Sequence, residues 1–488
     1  MVHLKKRFIH SITFFSFLFV LLIPLFDVQA AEKLPLASIV AKNYDLTKPF
    51  GVSVRDFETG QIVYSYNNDK PRSPASNLKL LTGAAALDLL GPDYRFTTKL
   101  YYDGTIENHT LNGNVFLVGG GDPTLLPKDL QAFAQAVKTA GIHHITGYVL
   151  GDVSMFSGST LSPGVVPAEE KNAYAAHVSP LTLSPNTNYE AGTLLITVKP
   201  SSKVGAAGTY SGNTSLEGLI ISNKTKTVKK NAKNTVSITR TAGTNRVIIS
   251  GNIPIGKSAT KTITTYNPSS STLYAFHEAM KATGITFTNR YVVARRNLPE
   301  SAVFIHEKKS MPLSDMYRIM MKKSSNPMAD AFVKTLGYEV YGIGDFKNGI
   351  QAVKDYGNSI GLSMDLWTIV DGSGLSKHNK VPPSQLTLLM KILQQTPNYQ
   401  TFYKGLIIGG HANAFEAGSL KDRFKEWNVR ERVIGKTGYI TGVHALTGIS
   451  HNFYTNKRHI FSILSEQSSG STEKIDNIVK AIVLYQPK

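Results

Sequence analysis

Residues 74–91 read PASNLKLLTGAAALDLLG, and they place a lysine inside what is otherwise a buried helix. Leu, Ala and Gly fill most of positions 78–90, and Ala84–Ala86 are strong helix formers. Gly91-Pro92 closes the run, so the stretch predicts an apolar helix. An ammonium in such surroundings costs several kcal/mol unless it is paired. Any fold this chain adopts must bring acceptors to Lys79 or let it snorkel to water. Ser76 stands three residues earlier, one helical turn away on the same face. A serine there is also an ordinary helix cap, and roughly two Ser-x-x-Lys pairs arise by chance at this length. The pair gains meaning only from the rest of the chain.

The first thirty residues read as an export signal. Lys5, Lys6 and Arg7 form a basic start, and Phe14 to Phe26 is apolar apart from Ser16 and Pro24. Val28-Gln29-Ala30 then supplies small residues for cleavage. An uncleaved anchor is the alternative. No later segment holds eighteen consecutive apolar residues that could span a bilayer. Cysteine is absent from the 488 residues, which excludes disulfides, thiol chemistry and Cys-ligated metals. The formal charge is +19; removing residues 1–30 takes away three positive charges and Asp27, leaving +17. That balance points to a polyanionic neighbour, and for an exported chain to acidic lipid or anionic wall polymer rather than nucleic acid.

The positive charge is concentrated. Between Ala191 and Thr265 eleven Lys and Arg face one acid, Glu217. The same window alternates in strand fashion, as in TVSITRT (235–241) and RVIISG (246–251), and predicts a small β-rich module. It is flanked by amphipathic helices at 130–142 and 271–285, each followed by strand-like residues, so a β module inserted in an α/β module is expected. Helical spacing dominates 312–323, 326–340, 346–361 and 382–395. Strands return at 443–453 and 459–467, before a last helix near 471–484. The head carries a hairpin at 51–66 turning at Glu58–Gly60. Strands at both ends with helices between them suggest one sheet closed by the two termini.

One motif misleads. GNIPIGKS (251–258) fits the phosphate-binding pattern G-x-x-x-x-G-K-S, but that loop must open a helix. Here β-branched ATKTITTY follows and Pro254 interrupts, so no nucleotide site is expected. Gly119-Gly120-Gly121-Asp122 similarly reads as a turn after the strand 114–118. Three other pieces matter as an ordered set: Ser76-Asn77-Leu78-Lys79, then Ser324-Ser325-Asn326 between two helices, then Lys436-Thr437-Gly438 leading into the terminal strands. Ser-x-x-Lys, Ser-x-Asn and Lys-Thr-Gly in this order are the signature of penicillin-interacting serine enzymes.

With that triple, the chain resembles the class C low-molecular-mass penicillin-binding proteins, the D-alanyl-D-alanine carboxypeptidases and endopeptidases of peptidoglycan. The stretches 74–87, GGGDPTL (119–125), AYAAHVSPLTLSPN (173–186), KKSSNPMAD (322–330), DGSGLSKHN (371–379) and GKTGYITGV (435–443) carry the resemblance over nearly the whole mature chain. Its mark is a long insertion: Ser76 to Ser324 spans 248 residues, Ser324 to Lys436 only 112.

The resemblance implies a mixed α/β fold of the serine β-lactamase/penicillin-binding-protein transpeptidase type, an antiparallel sheet flanked by helices. Two inserted domains, one α/β and one β-rich, would lie between the first two motifs. The expected division is a signal peptide at 1–30, a catalytic domain at 31–98 and 300–488, an α/β insert at 99–188 and 265–299, and a basic β-rich insert at 189–264. The implied activity is a serine D-alanyl-D-alanine carboxypeptidase of peptidoglycan stem peptides, acylated by β-lactams, with D,D-endopeptidase action as an extension. A β-lactamase or a non-catalytic basic wall-binding protein is the alternative. Ser76 is the implied nucleophile and Lys79 its activator, with Ser324, Asn326 and Lys436 continuing the proton path. Thr437, Gly438 and Tyr439 would bind substrate, and many relatives carry Thr or Ser where Tyr439 stands. Lys377 and Glu169 align where a cation and an acid meet the far end of the stem peptide's third residue, although plain surface charge explains them equally well. No cofactor or metal is implied. The expected partners are stem peptide, β-lactams and, through 191–265, an anionic wall polymer, all in the envelope of a bacterium.

Overall fold

The computed structural model describes residues 33–289, 292–467 and 472–487, so the export signal expected at 1–30 lies outside the described residues. A six-stranded sheet forms the centre. From one edge its strands are Ile407–Ile408, Val433–Ile440, Val443–His451, Arg458–Ser465, Phe50–Asp56 and Ile62–Tyr66. The N-terminal hairpin pairs antiparallel with the last strand, Phe50 opposite Ser465 and Asp56 opposite His459, so the two ends of the chain close one sheet as expected.

Strand periodicity decides what each face of this sheet meets. On the last strand Ile460 and Leu464 enter a core with Leu386, Leu389, Ala445 and Leu81, on the side of helices Lys79–Leu89 and Pro383–Leu393. Phe461 and Ile463, between them in sequence, enter a second core with Val40, Ile475, Ile478 and Val479 from helices Ala37–Asn43 and Thr472–Val483. A sheet covered on both faces needs such apolar alternation on each side. The helices Leu313–Lys323, Asn326–Tyr341 and Phe346–Ser359 complete the first core around the apolar helix.

The insertion folds as two further units with their own cores. A five-stranded sheet joins Thr97–Tyr102, Val115–Val118, Val149–Asp152, Val292–Ala294 and Val303–Lys309, backed by helices Pro127–Thr139 and Pro268–Ala282. The expected boundaries at 98 and 300 therefore need correction. Thr97–Tyr102 and Val303–Lys309 pair with each other in this sheet, Val303 opposite Tyr102, so the α/β unit begins near 97 and runs to 309. The β-rich unit consists of two three-stranded sheets around Leu194, Ile196, Val247 and Ile249. The false phosphate-loop motif lies here, on strands Arg246–Pro254 and Ala259–Thr264 joined by a turn, so it opens a strand and not a helix.

Ten of the eleven basic side chains between 191 and 265 are exposed. Arg240 is the exception and is buried. Its Nη2 donates to Glu170 Oε1 at 2.8 Å, its Nε to Thr264 Oγ1 at 3.0 Å and its Nη1 to the Thr244 carbonyl at 2.8 Å. Glu170 also accepts from the Gly243 amide at 2.9 Å and contacts His177 Nε2 at 3.1 Å. Burial raises the Glu170 carboxyl, but these donors outweigh it and hold it below its ordinary value. The pair ties the β-rich unit to the segment that precedes the second half of the α/β unit. Removing one partner strands the other charge in the interior. Glu170→Ala should cost about 3–5 kcal/mol, read by urea denaturation, with faster amide exchange between 193 and 264. Unchanged exchange there would show that the tie is dispensable.

Candidate active site

The apolar helix begins at Lys79, and a single 3-10 turn, Ala75–Leu78, leads into it. Ala75 has φ of 45°, a left-handed conformation unusual for a residue with a β-carbon. The loop 371–377 explains why it is kept. A β-carbon at Gly374, itself at φ of 81°, would stand 1.8 Å from the Ala75 carbonyl oxygen, so only glycine allows the two backbones to meet. The approach carries the Ser373 carbonyl onto Lys79.

Lys79 is fully buried and has three partners. Nζ lies 3.0 Å from Ser76 Oγ, 2.6 Å from Asn326 Oδ1 and 2.6 Å from the Ser373 carbonyl oxygen. The Asn326 amide donates its Nδ2 to the Tyr174 carbonyl at 3.0 Å, which fixes the side-chain oxygen towards the lysine. Two of the three partners can only accept. A neutral amine would spend both N–H groups on them and point its lone pair at the Ser76 hydroxyl, which becomes the donor. An ammonium instead makes Ser76 an acceptor.

Burial drives Lys79 towards the neutral form and brings its pKa down to about 8, against the pull of nearby Asp330 and Asp371. Asp330 accepts from the Gly372 amide at 3.0 Å. Asp371 accepts from the amides of Ser373 (3.0 Å), Gly374 (2.6 Å) and Ser376 (2.7 Å) and so shapes the loop. Both carboxyls are raised by burial, Asp330 to about 7. These two acids lie in stretches that carried the resemblance, but sequence reasoning gave neither a role. Nothing local in the sequence says that residues 330 and 371 are buried close to 79.

The second and third motifs meet beside the first. Ser324 ends helix Leu313–Lys323 in the left-handed conformation, φ 56°, and the next helix is capped by Ser325, whose Oγ accepts from the Met328 amide. Ser324 is therefore not the cap of that helix, and its hydroxyl accepts from Lys436 Nζ at 2.8 Å. Lys436 is buried on the strand Val433–Ile440 and donates also to the Thr437 carbonyl at 3.0 Å. Burial, with the charge of Lys79 nearby, pushes it well below its ordinary pKa. The Thr437 hydroxyl pairs with Ser419. Gly438 is forced by crowding, since a β-carbon there would lie 2.7 Å from the Pro74 carbonyl oxygen. That contact draws the strand against the turn bearing Ser76. Tyr439 projects outward, 67% exposed, with its ring edge-on to His444.

A cavity of about 300 Å³ opens beside these groups, between Ser324 and Asn326 on one wall and Tyr174, Tyr189 and Glu190 of the insert on the other. Lys377 is exposed on the Asp371 loop and Glu169 partly exposed on the insert. Among the described residues neither makes a side-chain hydrogen bond or ion pair, whereas Glu170, adjacent to Glu169, turns inward to Arg240.

Residues 33–487 match the family described as D-Ala-D-Ala carboxypeptidase 3 (S13). The chain is 30% identical over 403 residues to the D-alanyl-D-alanine carboxypeptidase of Actinomadura sp., covering 82% of this chain and 74% of that protein. It is 24% identical to the D-alanyl-D-alanine carboxypeptidase DacB of Haemophilus influenzae, over 87% of this chain and 86% of the other. The crystal structure of penicillin binding protein 4 from Haemophilus influenzae superposes with a TM-score of 0.76 at 21% identity, covering 92% of this chain and 99% of that one, and shares its fold.

With Lys79 near 8, its neutral fraction should rise about tenfold per pH unit below that value. Asp330 favours the ammonium, so Asp330→Asn should move the Lys79 midpoint down from about 8, read from the side-chain ¹³Cε resonance. A midpoint left in place would mean the two groups do not interact.

Proposed function

The chain belongs to the D-Ala-D-Ala carboxypeptidase 3 (S13) family, and on that premise we propose how its own residues remove the terminal D-alanine of a peptidoglycan stem peptide. It is a serine D-alanyl-D-alanine carboxypeptidase, and in this reading β-lactams acylate the same serine that the substrate does. The observation that carries the residue assignments is the set of partners around Lys79, two obligatory acceptors and one hydroxyl.

In the forward reaction Ser76 Oγ attacks the carbonyl of the penultimate D-alanine while Lys79 Nζ takes its proton. The oxyanion forms between the backbone N–H groups of Ser76 and Tyr439, which makes the exposed Tyr439 ring irrelevant to that step. The C–N bond breaks, and the leaving D-alanine nitrogen receives a proton through Ser324 and Lys436, which lie 2.8 Å apart. The proton taken by Lys79 passes along that path to the leaving nitrogen, so the amine is neutral again; it takes a proton from the water that attacks the ester and returns it to Ser76 Oγ as the ester C–O bond breaks. Lys436 and the Thr437 hydroxyl bind the terminal carboxylate, and Gly438 lets that strand close on the nucleophile turn. Glu169 and Lys377 are assigned to the amino and carboxyl groups at the end of a diaminopimelate side chain, because both are unpaired charges, one on the insert segment that leads to the cleft wall at Tyr174 and one on the loop whose Ser373 carbonyl meets Lys79. Replacing the leaving D-alanine by a cross-linked peptide turns the same steps into D,D-endopeptidase action.

The place of action is the bacterial cell envelope. Cleaved export through residues 1–30 and retention by anionic wall polymer complete the proposal. The ten exposed basic side chains of 191–265 support the second point; Lys224 and Lys226 face solvent while Thr225 and Thr227 between them are buried, so one face of a strand is a charged stripe.

Incubation with benzylpenicillin, followed by intact mass and peptide mapping, should give a single stable adduct on the Ser76 peptide that Ser76→Ala abolishes. Hydrolysed drug without adduct would replace this reading by a β-lactamase, and intact drug without adduct by a non-catalytic wall-binding protein. Separately, Gln at Lys224, Lys226, Lys229, Lys230 and Lys233 should reduce retention on isolated cell walls at low salt, with wild-type retention falling as salt rises. Full retention of the variant would remove the wall-polymer assignment.

A further inference from the structure

The only acid in the basic window 191–265, Glu217, lies on the loop between strands Thr209–Gly212 and Ile220–Val228 of the β-rich unit. It faces helix Pro268–Ala282 of the α/β unit, where His277 and Glu278 are adjacent. One ligand atom from each of the three residues falls within 4.8 Å of the others. The histidine is the unusual member. It is 96% buried, since its exposure is 4%, and neither ring nitrogen hydrogen-bonds to any described residue. Its ring leans on Phe287, centroids 4.3 Å apart, and lines an open cleft of about 600 Å³ together with Glu217.

A buried imidazole without a hydrogen-bond partner, its Nδ1 3.9 Å from Glu278 Oε1, forfeits about the cost of a lost hydrogen bond at each polar nitrogen, so the position asks for a ligand. Hydrophobic packing explains the burial, but it does not explain two carboxylates placed around a bare imidazole.

We propose that Glu217, His277 and Glu278 bind a divalent transition-metal ion, Zn²⁺ by preference, which fastens the β-rich unit to the α/β unit. One nitrogen and two carboxylate ligands suit Zn²⁺ better than the all-oxygen preference of Ca²⁺ or Mg²⁺. The buried His277 is the fixed point, and the two glutamates draw in around it. Glu278 presently holds Lys281 Nζ at 2.9 Å on the same helix. Binding exchanges that surface ion pair for the metal, so Lys281 is a competitor and not a ligand. None of these residues belongs to the catalytic set, so the site acts on how the inserted units are joined.

The test is titration of ZnCl₂ into the metal-stripped exported chain, followed by calorimetry and native mass spectrometry. One Zn²⁺ per chain is expected, with a rise in melting temperature at saturation. Glu217→Gln, an exposed change, and His277→Phe, which keeps a buried ring against Phe287, should each weaken binding about tenfold or more. Lys281→Gln should tighten it by freeing Glu278. Benzylpenicillin acylation confirms that each variant is folded. Absence of one-to-one binding at about 100-fold excess metal would overturn the site, and so would stoichiometric binding that survives both Glu217→Gln and His277→Phe.

Discussion

The rest of the catalytic unit depends on a buried amine and the need to supply it with acceptors. Lys79 cannot reach water from inside the first core, and the chain answers with three distant segments. The turn at 75–78 offers the Ser76 hydroxyl, the start of helix Asn326–Tyr341 offers the Asn326 amide, and the loop at 371–377 offers the Ser373 carbonyl. Each is held by something else. Asn326 is oriented by Tyr174 of the insert, the Ser373 carbonyl by Asp371 gripping three amides, and the turn by its contact with Gly374. The left-handed Ala75 and Ser324 fit this account, since strained backbone persists where surrounding contacts over-determine it.

The inserted units are part of this arrangement. Tyr174 lies on the insert, in the segment that follows the Glu170 anchor, and its carbonyl holds the Asn326 amide in register. The same segment forms the far wall of the cleft beside Ser324. The Arg240–Glu170 pair, buried on both sides, then links the β-rich unit to that wall. A disturbance in the β-rich unit thus has a route of covalent and hydrogen-bonded links to Lys79, part of it through exposed residues such as Lys171 and Tyr174. The route runs from Arg240 through Glu170 and residues 170–174 to Asn326 and Lys79.

Much of this was legible beforehand because its signals are local. Helical and strand periods, the Glu58–Gly60 turn and the closure of one sheet by both termini follow from side-chain patterning. The motif triple marks three segments whatever their separation. What escaped was long-range and required knowing which way a side chain turns. Glu169 and Glu170 are neighbours of one type, and only the folded segment shows that Glu170 turns inward. Arg240 looks like one more charge in a basic window until Glu170 arrives from 70 residues away. Asp330 and Asp371 need the packing of two helices and a loop before they lie close to Lys79. The boundary at 300 falls short because Val303–Lys309 reads VFIHEKK, with no period-2 pattern to mark it, and only pairing reveals which sheet it joins.

The two lysines of the site are coupled by repulsion. Lys436 is buried with two acceptors, Ser324 and the Thr437 carbonyl, and the charge of Lys79 lowers its pKa further. Two buried amines this close cannot comfortably both be cations, so a charge on one favours neutrality of the other. On the proposed assignment, a substrate carboxylate arriving at Lys436 stabilises the ammonium there. The same charge then disfavours the ammonium at Lys79, leaving its lone pair on the Ser76 hydroxyl. The recognition of an anionic terminus and the activation of the nucleophile are in this way one electrostatic event. On that assignment a substrate lacking the carboxylate loses activation together with binding, because one buried charge balance serves both.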